Sequence, residues 1–149
     1  MAWVHDRIFA AGGSHIPGTW DSFRKQTGIS AVLTLSEGRP ALFQGQPPDQ
    51  LLWLDIVDEG EAKPADRELA GRFLFECVEN GRLVLLHSIH SRHRTRWAYV
   101  SYLMYEGTSL RAALRQAAEA PWLSPYETDQ RAWQEFDQLL RPTSSGPAA

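Results

Sequence analysis

Apolar and polar positions along this chain alternate between two periods. Residues 7–11, 31–35, 51–57 and 82–86 are compact apolar runs bounded by glycine, proline, asparagine or acidic turns. Runs of that length and setting predict buried strands. Between them the spacing becomes helical. Pro17 suits the first turn of a helix that runs toward a stop at Gly28. Pro64 opens another helix, in which Leu69, Ala70, Phe73, Leu74, Cys77 and Val78 recur on one face until Asn80-Gly81 ends it. A third helix is predicted over about 95–106. Leu110, Ala113, Leu114 and Ala117 stripe a fourth after Gly107. Ser124-Pro125-Tyr126-Glu127 reads as a capping box and starts a last helix with Trp133, Phe136 and Leu140 on one side. Residues 37–50 carry three prolines and two glycines and read as a mobile loop. Strands alternating with helices predict an α/β fold with a central sheet, the surplus helices covering one face. A single domain, 1–141, precedes a flexible tail, 142–149, rich in Pro, Ser, Gly and Ala.

Composition narrows the class. The 149 residues make about one domain, and 43% apolar content argues against disorder. A net charge of −3 argues against general nucleic-acid binding. The single cysteine, Cys77, forms no intrachain disulfide, which fits a reducing compartment. Its place on an apolar helix stripe predicts a buried structural thiol. No apolar run approaches the roughly 18 residues of a membrane span. The first six residues have neither the basic nor the apolar region of a secretory leader. The expectation is a cytoplasmic protein with neither membrane nor nucleic acid as partner; oligomeric state is not legible. The six tryptophans are dispersed, as packing residues are.

Chemistry concentrates at 84–95, where an apolar run stops at a basic loop and a helix follows. The first-turn amides of a helix have no internal partners, and loop amides beside them can point at an oxyanion. Arg94 can offer a planar fork to two phosphate oxygens. Arg92, Arg96, His90 and His93 add local positive charge to an acidic chain. This favours phosphate, sulfate or a phosphorylated side chain over nucleic acid. His87, His90 and His93 also suggest metal ligands, but the arginines beside them oppose a cation and no nearby Cys or Asp completes the shell. No metal or cofactor is called for.

His87, Ser88, Ser91, Arg94 and Thr95 resemble the signature of the cysteine-dependent protein tyrosine and dual-specificity phosphatases: His-Cys, two residues, Gly, two residues, Arg, then Ser or Thr. His87, Arg94 and Thr95 fit; Ser88 stands at the nucleophile position and Ser91 at the glycine position. The resemblance implies a largely parallel sheet flanked by helices, from about residue 7 to 140. It implies a phosphate-binding loop of Ser88, Ile89, His90, Ser91, Arg92, His93 and Arg94, with His87 buried behind it. It places Arg94, Thr95 and the Ser88 position in catalysis. It also implies an aspartate general acid about 30 residues before the nucleophile. Asp58 is the best match, and Asp55, inside an apolar strand, is the runner-up. The family mechanism needs a thiolate, and a serine hydroxyl is far less acidic. Losing the sulfur removes a negative charge beside a dianion and leaves binding possible. A glycine at the position of Ser91 would supply a positive φ, so serine there is expected to cost about 1–2 kcal/mol. The leading expectation is an inactive phosphatase-like protein that binds a phosphorylated protein or small phosphate ester. Its rivals are a phosphatase with altered loop residues or weak Ser88 chemistry, and a scaffold with a decayed loop.

Overall fold

The computed structural model describes residues 2–120 and 130–141. Five strands form one sheet in the order β1-β2-β5-β3-β4. They are β1 (Ala2–His5), β2 (Ile8–Gly12), β3 (Ala31–Leu35), β4 (Gln50–Leu54) and β5 (Val84–Ser88). Only the β1–β2 pair is antiparallel. Side chains of a strand alternate between faces, and here each face meets its own layer. Ile8, Ala10, Leu33, Leu35, Val84 and Leu86 face α3 (Pro64–Glu79), α4 (Arg96–Tyr105), α5 (Leu110–Glu119) and α6 (Gln130–Leu140). Phe9, Ala11, Val32 and Leu85 face Ile16 and Trp20 of α1 (His15–Gly18) and α2 (Trp20–Thr27). The predicted α/β sandwich with most helices on one face is therefore the observed one. Helix α4 lies in the middle of the larger core, which is why Trp97 through Met104 are all buried.

Several boundaries differ from expectation. The helix from Pro17 is two pieces, broken at Thr19, whose backbone leaves helical geometry at φ −121° and ψ 29°. Strand β1 has no counterpart among the predicted elements. Strand β4 ends at Leu54, so Asp55 is outside it; the exposed Asp55 carboxylate accepts the Gly38 amide at 2.9 Å. The loop over 37–49 is pinned rather than loose. Arg24 binds Asp49 and the Pro47 carbonyl, the Gln46 amide donates to Asp21, and the Gln44 amide donates to the Pro17 carbonyl. The capping box at 124–127 and the tail at 142–149 lie outside the described residues. Cys77 is buried as expected, and burial pushes its thiol up to about 11.

Candidate functional site

Parallel pairing sets the site. Ser88 is in register with Gly12 of β2 on one side and Leu35 of β3 on the other, at the carboxyl ends of three parallel strands. Crevices at such strand ends are where open α/β sheets place ligands. The chain then turns through a 3-10 segment, Arg92–Thr95, into α4. The Gly12-Gly13 turn braces this loop from the side. A side chain on Gly12 would put its Cβ 2.4 Å from the Arg92 nitrogen, so only glycine lets the two backbones approach. Gly13, at φ 88°, donates its amide to the Ser88 carbonyl at 2.9 Å. Neither glycine stood out in the sequence beyond its role as a strand end.

His87 is fully buried and fully engaged. Its Nε2 lies 2.7 Å from the Gly13 carbonyl oxygen, and its Nδ1 lies 2.8 Å from the Thr34 hydroxyl. A carbonyl can only accept, so Nε2 carries the proton and Nδ1 accepts from Thr34. Burial lowers the imidazole pKa below 6.5, outweighing the Gly13 bond that acts to raise it. The ring is neutral, with its one lone pair committed to Thr34. Phe43, from the pinned loop, packs edge-on against it with ring centres 5.8 Å apart.

Four of the loop's amides make internal hydrogen bonds. The Ile89 amide donates to the Leu35 carbonyl at 3.1 Å, prolonging the sheet, and the His90 amide donates to the Ser88 hydroxyl oxygen at 3.3 Å. The Ser91 hydroxyl caps the His93 amide at 3.1 Å, and the Ser91 carbonyl accepts from Arg94. Ser88 itself is fully buried. Ser91 sits at φ −167° and ψ 151°, an extended backbone open to any residue, so the strain expected of a serine there is absent. Thr95 is buried, and its hydroxyl donates to the Arg92 carbonyl at 2.6 Å. Arg96 is buried at the start of α4 and does not line the mouth.

Asp58 and Arg94, 36 positions apart in sequence, come together. Their side chains form an ion pair on the partly exposed rim, between the turn after β4 and the start of the loop helix. Asp55 is elsewhere, bonded to Gly38. His90, Ser91 and Arg92 line a small open depression with Gly12 and Gly13. Among the described residues, no three His, Cys, Asp or Glu side chains are grouped to hold a metal. His87, with both nitrogens occupied, is no ligand. Among the described residues, no helix is long and apolar enough to cross a membrane.

A sheet of this order, with a strand–loop–helix carrying His87, Arg94 and Thr95 at its carboxyl edge, is the fold of the dual-specificity and protein tyrosine phosphatases. Solved structures of that class superpose over nearly the whole chain. Human DUSP28 matches with a TM-score of 0.73 at 21% identity, covering 96% of this chain and 99% of its own. A mouse putative dual specificity phosphatase, complexed with zinc tungstate, matches with a TM-score of 0.72 at 21% identity, over 99% and 92%. The human tyrosine phosphatase-like serine/threonine/tyrosine-interacting protein matches with a TM-score of 0.65 at 16% identity, over 99% and 97%. What these likenesses share with this chain is the fold. No protein-family model matches the sequence, and a search of the curated proteins by sequence found no match.

Proposed function

We propose that this chain is a catalytically inactive relative of the dual-specificity phosphatases that binds an oxyanion of a phosphorylated protein or small phosphate ester through the loop from His87 to Thr95. The observation that carries the inactive half is the setting of Ser88. A serine nucleophile needs a base to take its proton. The adjacent imidazole of His87 has its lone pair turned to Thr34, and the Ser88 hydroxyl accepts the His90 amide in a spot solvent does not reach. The binding half is supported by Arg94, held at a partly open rim beside the loop. The mouse phosphatase-fold structure complexed with zinc tungstate, of which tungstate is an oxyanion, is a second support. Binding requires Asp58 to release Arg94 and the loop amides to leave their internal partners. Asp58 is thus a competitor for Arg94 in this state, and a general acid only in a form with a leaving group to protonate.

The test is titration of the protein with phosphate or tungstate, followed by amide NMR. Shifts at residues 88–95 are expected, weakened by about 1–3 kcal/mol in Arg94→Ala, with no aryl phosphate hydrolysis. Turnover abolished by both Ser88→Ala and Arg94→Ala would establish Ser88 as a nucleophile instead. A second reading, a scaffold with a closed loop, is favoured by the four internally bonded amides at residues 89, 90, 93 and 94. Spectra unchanged at tens of millimolar anion would select it.

A further inference from the structure

Two buried side chains remote from the loop grip the turn that carries Asp58. Arg67 of α3 is fully buried. A guanidinium leaves water at high cost unless its donors are matched. Its Nε donates to the Ala62 carbonyl at 3.0 Å and its Nη2 to the Glu59 carbonyl at 3.1 Å. Those carbonyls belong to the 3-10 turn Glu59–Glu61 and its cap, immediately after Asp58. The same guanidinium lies 4.1 Å from the centre of the Trp133 ring on α6. Trp133, itself fully buried, donates its indole N–H to a Glu59 carboxylate oxygen at 3.0 Å. Helix α3 thus holds the turn by its backbone, and α6 holds it by the Glu59 side chain. Asp58, at the head of this turn, makes no side-chain capping bond to it. Its direction is set by where the turn is placed.

We infer that Arg67 and Trp133 are positioning residues that aim Asp58 at Arg94 and so couple the docking of α6 to the availability of Arg94 for an anion. The second half rests on the proposed role of Arg94; the first does not. Neither residue is in the loop, so their influence passes through residues 59–62. Loosening the clamp lets Asp58 withdraw, and an incoming oxyanion then meets less competition.

The unaltered protein is compared with Trp133→Phe, which keeps a ring over Arg67 but removes the indole donor. A second variant, Arg67→Lys, keeps the charge but loses the forked reach to two carbonyls. Glu59→Gln retains an acceptor for Trp133 and serves as the conservative control. Solvent exchange of the Arg94 guanidinium protons, read by nitrogen-15 NMR, is slowed by a carboxylate partner. It is expected to rise about fivefold in the first two variants and to stay at the wild-type rate in Glu59→Gln. The Arg24 guanidinium, paired with Asp49 on the other face of the sheet, should keep its rate in all of them, which general loosening would not allow. Inorganic phosphate is expected to bind Trp133→Phe and Arg67→Lys about fivefold more tightly than wild type. Arg94 exchange unchanged in both variants overturns the inference. Faster exchange with unaltered phosphate affinity overturns the coupling. Faster exchange with no phosphate binding by any form upholds the clamp and removes the binding role instead.

Discussion

His87 and Ser91 show what single residues decide here. His87 is held neutral in the fold but is free to charge when the chain unfolds, so the unfolded state binds the extra proton. Its folded pKa is the lowered one. The stability it contributes is therefore complete above about 6.5, the ordinary histidine value. It falls away as pH drops from there toward the folded pKa, by at most about 1.4 kcal/mol per pH unit. Urea unfolding of wild type and His87→Gln between pH 5 and 7 should show a shallower acid slope in the variant; equal slopes would mean the ring binds protons alike in the folded and unfolded states, so that burial does not hold it neutral. Ser91 reverses the expectation made from its position in the motif. With an extended backbone and a hydroxyl that caps His93, Ser91→Gly should destabilise by about a few tenths of a kcal/mol, as for a capping serine replaced by glycine. A gain in stability by the same unfolding assay would show that strain is present after all. The motif names the residue that glycine usually occupies, but φ is a property of the turn, and this turn is built with a different hydrogen-bond plan.

At the scale of elements, the order of strands and helices was legible because each apolar run and stripe sits between strong stops. The ends of α3 follow from Pro64 and Asn80-Gly81, and β3 was read to the residue. Strand β1 was not legible: its four residues, Ala2–His5, are too few to show a period, and the turn into β2 has no glycine or asparagine. The cut in the first helix at Thr19 and the early end of β4 are equally local, settled by packing rather than by pattern. The strand–loop–helix was placed correctly, but its internal bonding left no trace in the sequence, because which amide meets which oxygen depends on β3 and on Gly12-Gly13 from distant parts of the chain. Gly12 tests that dependence. Gly12→Ala should push Arg92 away, destabilise by about 1–3 kcal/mol as overpacking does, and shift the amides of residues 91 and 92. Gly18→Ala, where nothing lies within 4 Å of the added carbon, should leave those amides in place. Identical spectra for the two variants would remove the bracing role given to the Gly12-Gly13 turn.

Across the whole molecule, two apolar layers on one mostly parallel sheet hold the candidate site at the sheet's carboxyl edge. The layers were readable from alternation, since β3 and β5 offer apolar residues to both faces. The meeting of Asp58 with Arg94 and the grip of Arg67 and Trp133 on the turn between them were not. Such encounters join segments far apart in sequence and leave no periodic trace. The burial of Cys77 has a practical consequence for the loop. The chain has no other cysteine, and this one is buried, with a thiol pushed up to about 11. At neutral pH it is almost entirely protonated and shielded, so iodoacetamide should leave the native wild-type protein unlabelled for hours. Rapid labelling of the folded protein would contradict that burial. Against so silent a background, Ser88→Cys turns position 88 into a chemical clock. Its alkylation rate would report how often the closed loop exposes its floor, one opening at a time, whether or not any phosphate is ever found to bind there.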